Sequence, residues 1–273
     1  MSDPKPPVTA NPWEALRQFT DARIALGRAG VSIPTASHLA FQLAHARARD
    51  AVHRALDTTA LSQSITAATG GQYPPCVVLH SAAADRAVYL QRPDLGRRLD
   101  VASRAILTKF APPLPTRRYD LAFVVVDGLS ALAIEQHAAL FLAILQRRIA
   151  AEHWSVAPLC IVRQGRVAVG DDVAACLDAK AVVVLIGERP GLSSPDSMGL
   201  YLTWMPRVGL TDVSRNCISN VRPAGLGYED AACKLHYLLS EMRKRQLSGV
   251  ELKDETADAT SLTTIRGKNF LLE

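Results

Sequence analysis

The chain has 273 residues, enough for one or two domains, and its 48% hydrophobic and 21% charged residues are typical of a well-packed globular protein. No apolar run approaches the roughly 20 residues that a membrane helix needs, and the start lacks the apolar segment of a secretory signal, so we expect a cytoplasmic protein without a membrane contact. The net charge of +5 comes from scattered arginines rather than from a basic stripe interleaved with aromatic residues, which argues against nucleic-acid binding.

The cysteines do not suggest a disulfide framework or a structural zinc site. There are five of them, and none of the pairs has C-x-x-C spacing. Four lie in apolar segments and are expected to be small core residues, namely Cys76, Cys160, Cys176 and Cys233. Cys217 lies in a polar segment and is a candidate for a functional role.

Residues 13–115 are predicted to form a mainly helical region, behind a Pro-rich start, 1–12, that we expect to be flexible or to lie on a partner. The apolar, glycine and proline patterns predict its elements as a helix at 13–26, a second helix from 34, short strands at 77–79 and 88–90, and a helix opening at 92–99.

The second helix carries small residues on one face and histidines on another. His45 and His53 are eight residues apart, which places them about 12 Å apart along a helix axis. They cannot share one ion, so the sequence predicts no metal site here. The polar face is expected to meet solvent or a partner chain.

Residues 116–250 alternate between strands and helices after a Pro-rich break at 111–115. The continuous apolar run at 121–126 is typical of a strand buried on both faces. The remaining elements are predicted as helices at 131–150 and 228–246 and strands at 159–162, 181–186 and 200–204. The predicted fold is therefore α/β, with an N-terminal mainly helical region followed by a doubly wound, mostly parallel, Rossmann-like sheet domain. Residues 251–273 are expected to form a flexible tail.

Four polar segments are predicted to follow strands directly as loops. They are D-G-L-S from Asp127, R-Q-G-R-V from Arg163, G-E-R-P-G from Gly187 and R-N-C-I-S-N from Arg215. Because ligands of such sheets bind at the carboxyl ends of the strands, we expect these loops to form one rim, suited to amide- and phosphate-bearing ligands. The glycine patterns of nucleotide-binding loops are absent, as is the D-x-H-x-x-G run of many cobalamin proteins.

The acidic residues of these loops have structural as well as catalytic interpretations. Asp127 precedes a helix, where capping of the helix amides is favoured over acid–base chemistry. Glu188 has Arg189 beside it as a neutralising partner, so a fixed hydrogen-bond acceptor is favoured over a catalytic carboxylate.

Cys217 is the one candidate nucleophile. Arg215 lies nearby and could lower the pKa of its thiol. A nucleophile also needs a base, and His236 is the closest candidate. Packing or a ligand contact is therefore favoured.

Seven motifs in one order carry a resemblance that covers about residues 17–250. They are L-G-R-A-G (26–30), F-Q-L-A-H-A-R-A-R-D-A-V-H (41–53), Y-L-Q-R-P-D-L-G-R-R-L (89–99), V-V-D-G-L-S (125–130), V-R-Q-G-R-V (162–167), L-I-G-E-R-P-G-L (185–192) and R-N-C-I-S-N (215–220). Together they closely resemble the small subunit of ethanolamine ammonia-lyase.

The resemblance implies an adenosylcobalamin-dependent radical enzyme that converts ethanolamine into acetaldehyde and ammonia. It implies that a large subunit carries the substrate site, so that this chain has no catalytic residue of its own and is inactive alone. The family's cobalamin contacts fall, by motif, on Val167, Glu188 and Cys217. The missing D-x-H-x-x-G run agrees with a family expected to keep dimethylbenzimidazole on cobalt.

Two other functions stay open beside this one. The chain could be a stand-alone doubly wound, nucleotide-dependent enzyme, or a purely structural subunit. Some relatives begin with a longer amphipathic segment that directs them to a bacterial microcompartment, whereas this start is short and Pro-rich, which argues against encapsulation.

Overall fold

The computed structural model describes residues 7–71, 76–111 and 119–256. The α-helices of these ranges are α1 (Thr35–His53), α2 (Thr58–Ala68), α3 (Arg86–Gln91), α4 (Val101–Leu107), α5 (Ala131–Ile149), α6 (Val169–Cys176) and α7 (Tyr228–Arg245). The strands are β1 (Val77–His80), β2 (Tyr119–Val126), β3 (Cys160–Arg163), β4 (Ala179–Gly187), β5 (Met198–Trp204) and β6 (Arg215–Val221). None of these helices combines the length and apolar character needed to cross a lipid bilayer.

The strands form one sheet in the order β1-β3-β2-β4-β5-β6. The pairings from β1 to β4 are parallel, but β5 is antiparallel to both β4 and β6. The α/β class is confirmed, whereas the sheet is mixed and not mostly parallel as predicted. The reason lies in the connections 188–197 and 205–214, which are ten residues each and contain no crossover helix, so each strand turns back beside the one before it.

Helices cover both faces of the sheet. Along β2 the side chains alternate, and every residue from Leu121 to Val126 is fully buried. Leu121, Phe123 and Val125 pack in one core with α2, α5 and α7. Ala122, Val124 and Val126 pack in a second core with α4 and α6. The prediction of a strand buried on both faces is confirmed, and the two faces are called the α5 face and the α6 face below.

The long helices begin and end close to the predicted positions. α5 spans Ala131–Ile149 and α7 spans Tyr228–Arg245, against predictions of 131–150 and 228–246. α7 has acidic residues in its first turn and basic residues in its last, which suits the helix dipole. α1 was predicted from residue 34 and spans Thr35–His53.

Several short elements differ from the predictions. Residues 88–90 belong to α3 rather than to a strand, because the Asp85 carboxylate accepts from the backbone N–H of Val88 and starts a helix there. The region 92–99 contains a 3-10 turn, Leu95–Arg97, instead of a helix. At 13–26 the structure has an exposed 3-10 helix, Pro12–Phe19.

The remaining predictions for the N-terminal region and the cysteines have mixed outcomes. β1, which lies within 13–115, pairs with β3 as a strand of the same sheet. The Pro-rich residues 112–115 lie outside the described ranges, as do residues 257–273 of the tail. Cys160 is buried and Cys76 and Cys176 are half-buried, but Cys233 is exposed on α7 and is not the core residue that was predicted.

Candidate functional site

Three of the four predicted loops meet at one edge of the sheet. Because β2, β3 and β4 run parallel, the chain leaves them on the same side after Val126, Arg163 and Gly187. From this edge β2 leads into α5 on one face, and its neighbour β3 leads into α6 on the other. Ligands of open α/β sheets bind at such a point, where neighbouring strands lead to opposite faces. The predicted rim is confirmed for these three loops.

The fourth predicted loop is the edge strand β6. Cys217 pairs with Tyr201 of β5 rather than lying in a loop after a strand. Polar residues dominate this segment because the edge of an antiparallel pair can face water, and a register shift between β5 and β6 leaves Ile218 and Val221 buried three residues apart. These features removed the alternating pattern that would have identified a strand.

Glu188, Tyr201 and Cys217 lie on the α6 face of the sheet. Val184 faces the α6 side and pairs with Tyr201, which in turn pairs with Cys217. Glu188 is four residues after Val184, so the alternation of side chains places it on the same face. The Tyr201 hydroxyl and the Cys217 thiol lie close enough for each to shift the pKa of the other. Two predicted contact residues that are distant in sequence are thus brought to one surface.

The Glu188 carboxylate is fixed by one of its two oxygens. Oε2 accepts from the Ser197 hydroxyl and, at 3.2 Å, from the backbone N–H of Asn220. Arg189 is exposed and is not the partner that was expected. Oε1 has no hydrogen-bond partner within the described ranges and lies over Gly199, where a Cβ atom would come within 2.9 Å of it. The glycine therefore leaves room for an acceptor oxygen that the described residues do not engage.

Cys217 is exposed but is not activated as a nucleophile. Burial by its neighbours raises the pKa of its thiol; the Tyr201 hydroxyl opposes this effect and the charge of Glu188 adds to it. His236, the base considered from the sequence, lies on α7 at the α5 face and is bonded to Glu152. The thiol thus stays protonated at neutral pH and offers packing and weak hydrogen bonding.

Arg215 does not act on Cys217, contrary to the prediction, because its side chain is buried in an ion pair. Its Nη1 and Nη2 donate to the two carboxylate oxygens of Asp171 at 2.7 and 2.6 Å. Further bonds reach Thr203 Oγ1 at 3.1 Å and the carbonyl of Leu210 at 3.1 Å. The pair joins α6 to the first residue of β6 and so sets the position of the strand that carries Cys217.

Val167 lies half-buried in the loop between β3 and α6. The Asp127 carboxylate holds the start of this loop, accepting from the backbone N–H groups of Gln164 at 2.8 Å and Gly165 at 3.1 Å. Asp127 is buried, which raises its pKa. The predicted cap of α5 is wrong for Asp127, since Ser130, immediately before the helix, accepts from the helix N–H.

A tyrosine between two arginines supports the same loop, and no role was predicted for these three residues from the sequence. Tyr89 is fully buried, with the guanidinium carbons of Arg86 and Arg166 at 4.6 and 4.2 Å from its ring centroid. Arg86 Nη1 donates to the Gly128 carbonyl at 2.8 Å and to Gln164 Oε1 at 3.2 Å. Burial raises the pKa of Tyr89 to about 12, so it remains neutral. The available sequence signals were the motif 89–99, which contains Tyr89, and the motif 162–167, which contains Arg166.

The three predicted contact residues therefore share one side of the sheet. Val167 and Tyr201 both pack against the core of the α6 face, and Glu188 and Cys217 flank Tyr201 on that face. Within the described ranges no three His, Cys, Asp or Glu side chains group closely enough to hold a metal ion. The surface combines an open carboxylate oxygen, a thiol and apolar side chains, a composition suited to an organic ligand that carries amide groups.

Comparison with known proteins gives one consistent family. The family model described as ethanolamine ammonia-lyase light chain (EutC) matches residues 10–253. A protein of Ralstonia nicotianae named ethanolamine ammonia-lyase small subunit is 58% identical over 266 residues, which cover 97% of this chain and 96% of that protein. Proteins of the same name from Azotobacter vinelandii and Pseudomonas putida are 57% and 56% identical, with 93% and 97% of this chain and 92% and 97% of those proteins covered.

Proposed function

Because this chain belongs to the ethanolamine ammonia-lyase light-chain family, we propose that it forms the smaller part of a cytoplasmic, adenosylcobalamin-dependent ethanolamine ammonia-lyase. The complex converts ethanolamine into acetaldehyde and ammonia. The large subunit carries the substrate site, while this chain holds part of the cofactor and is inactive alone. The protonated, strand-bound thiol of Cys217 supports a binding role rather than a catalytic one.

The α6 face of the sheet is the cofactor surface in this proposal. Adenosylcobalamin supplies the radical chemistry when bound, and the chain's residues bind and orient it. Glu188 Oε1 is free to accept from an amide N–H of the corrin side chains, while Val167 and Cys217 provide apolar contact. Gly199 fits this use, since a larger residue would occupy the space beside the carboxylate.

The fixed orientation of Glu188 is the strongest support for the proposed cofactor role. Its Oε2 is already bonded to Ser197 and Asn220, so the direction of Oε1 is set before a ligand arrives. A preorganised acceptor loses little side-chain entropy on binding, which favours affinity. A surface that served only for packing between subunits would not require a fixed carboxylate oxygen that is left without a hydrogen-bond partner.

Replacement of Glu188 by Gln tests the cofactor role. Hydrogen bonds to charged groups contribute about 1.5–3 kcal/mol, so E188Q should weaken adenosylcobalamin binding to the assembled complex by roughly 10- to 100-fold. Glu251→Gln, at an exposed position of the last 3-10 turn, is the matched control and should bind normally. If E188Q prevents assembly while affinity per assembled complex is unchanged, the purely structural alternative is favoured.

Activity measurements test the proposed roles of the two subunits. The chain is co-expressed with its large subunit, and acetaldehyde formed from ethanolamine is measured with and without adenosylcobalamin. We expect turnover only from the complex with cofactor. Cobalamin-dependent turnover by the isolated small chain would contradict the proposal.

A further inference from the structure

A cavity of about 600 Å³ adjoins Val167 on the α6 face. Three segments form its walls, namely the residues around the 3-10 turn Leu95–Arg97, the loop that carries Val167, and the connection between β5 and β6. Its volume lies in the range of about 300–1,000 Å³ that is usual for small-ligand sites. Of the residues that line this cavity, only Val167 is a cofactor contact in the function proposed above.

Unpaired positive charge lines this cavity. Arg97 and Arg98 are exposed there, and their side chains make no hydrogen bond or ion pair within the described ranges. Arg166 adds a third guanidinium, which donates to the Tyr89 carbonyl and has no carboxylate partner among the described residues.

The acidic residues of the cavity offset only part of this charge. Asp94 is paired with Arg92 at 2.8 Å, and Arg215 is paired with Asp171. Asp212 is 95% exposed and is the remaining carboxylate of the lining. Asp212 lies 3.6 Å from Arg215 Nε, whereas Arg97 and Arg98 face no carboxylate of the lining, which leaves an excess of positive charge.

The arginine-bearing wall is held rigidly against the Val167 loop. The backbone N–H of Arg166 donates to the Gly96 carbonyl at 2.7 Å. A Cβ atom at Gly96 would lie 2.9 Å from Arg166 Cγ and 3.2 Å from the carbonyl of Gln164, so only glycine permits this approach. Arg97 and Arg98 follow directly, and their backbone positions are therefore set by the same contact.

The cavity is continuous with the surface proposed to hold cobalamin. Val167 lines it at one side, and Arg215 lines it at another, two residues before Cys217 on the same face of β6. A ligand that contacts both Val167 and Cys217 would therefore lie beside residues of the cavity lining. The charge changes along this path, from the Glu188 carboxylate at the sheet edge to the arginines in the cavity.

We propose that this cavity binds the phosphodiester of the cobalamin nucleotide, with Arg97 and Arg98 as its counter-charges. The inference rests on the proposed function. The phosphodiester is the anionic group of a cofactor whose other polar groups are mainly amides and hydroxyls. Guanidinium groups pair with phosphate oxygens through charge-assisted and often bidentate hydrogen bonds. The Glu188 region would repel this group, whereas the arginine-lined cavity attracts it.

Adenosylcobinamide, which lacks the nucleotide and its phosphodiester, provides the test. Affinities of adenosylcobalamin and adenosylcobinamide are measured by spectral titration of the assembled complex, with wild-type chain and with the Arg97→Gln, Arg98→Gln double variant. We expect the double variant to bind adenosylcobalamin about tenfold or more weakly and adenosylcobinamide as wild type does. Arg97→Lys, Arg98→Lys retains the charge and should recover part of the loss. Arg245→Gln, an exposed site at the end of α7, is the control for net charge.

The other possible outcomes distinguish an error in the cavity assignment from an error in the proposed function. Equal weakening of both ligands, or weakening of neither, would overturn the assignment of the cavity while the proposed function stands. Binding of ADP to the wild-type complex without cobalamin, abolished by the double variant while the two corrinoids are unaffected, would mean that the arginines bind a free nucleotide instead. If the wild-type complex binds neither corrinoid, the proposed function itself fails.

Discussion

The Asp171→Asn substitution would leave the guanidinium of Arg215 charged and poorly paired inside the protein. The two side chains are 1% and 2% exposed, and two bonds of 2.7 and 2.6 Å join them. The asparagine oxygen can accept one of these bonds, but its NH₂ group would face the second donor. Removal of one partner of a buried pair costs about 3–5 kcal/mol. The substituted chain is therefore expected to lose a large part of its stability.

Thermal unfolding of the isolated chain, followed by circular dichroism, measures this loss. Each kcal/mol shifts Tm by about 2–4 °C for domains of 150–250 residues, so D171N should lower Tm by roughly 6 to 20 °C. Asp94→Asn, in the exposed pair with Arg92, is the matched control and should leave Tm nearly unchanged. The double replacement Asp171→Leu, Arg215→Met removes both charges and should recover most of the loss. Equal Tm shifts for D171N and D94N would show that the buried pair contributes no more to stability than the exposed one.

Two further substitutions, at Gly199 and Glu152, probe the sheet edge and the response of stability to acid. Gly199→Ala should weaken adenosylcobalamin binding to the complex several-fold without a change in Tm, since the added Cβ displaces Glu188 Oε1; normal affinity would show that this oxygen is not used. Burial alone would raise the pKa of Glu152, but hydrogen bonds from Ser240 and His236 lower it below its ordinary value. Its stabilising effect is then present above about pH 4.3 and is lost as the pH falls through the lowered folded-state value. The Tm difference between wild type and Glu152→Gln should therefore shrink from pH 7 to pH 3, and a constant difference would contradict this pKa direction.

The elements buried on both sides were predictable from the sequence, and those at the edges were not. β2 has a continuous apolar run because helices cover both of its faces, and α7 has a long periodic stripe. β6 is an edge strand with a solvent-facing side, so its polar residues resemble a loop. β5 runs antiparallel because the connection before it contains no helix. The residue pattern within β5 does not indicate its direction.

The candidate site was only partly accessible from the sequence for a similar reason. The resemblance supplied Val167, Glu188 and Cys217, but the roles of Tyr201 and Gly199 depend on the register between β4, β5 and β6. The helix cap was predicted at Asp127, whereas the residue next to the helix, Ser130, provides it. Long-range pairing thus decides which side chains meet at this face.

The two exposed cysteines can report on the surface proposed to hold the cofactor. Cys217 lies on β6 beside Tyr201, whereas Cys233 lies on α7, whose buried residues pack against the opposite face. Both can be alkylated with iodoacetamide in the assembled complex and quantified by mass spectrometry. The alkylation rates are compared with and without adenosylcobalamin, at the same pH and with the same fraction of assembled complex. Cys233 then serves as an internal control.

Alkylation of Cys217 in the assembled complex tests whether the α6 face holds cobalamin. If it does, adenosylcobalamin will slow modification of Cys217 strongly and leave the rate at Cys233 unchanged. If Cys217 reacts at the same rate in the cobalamin-loaded and cobalamin-free complexes, the cofactor does not lie on this face.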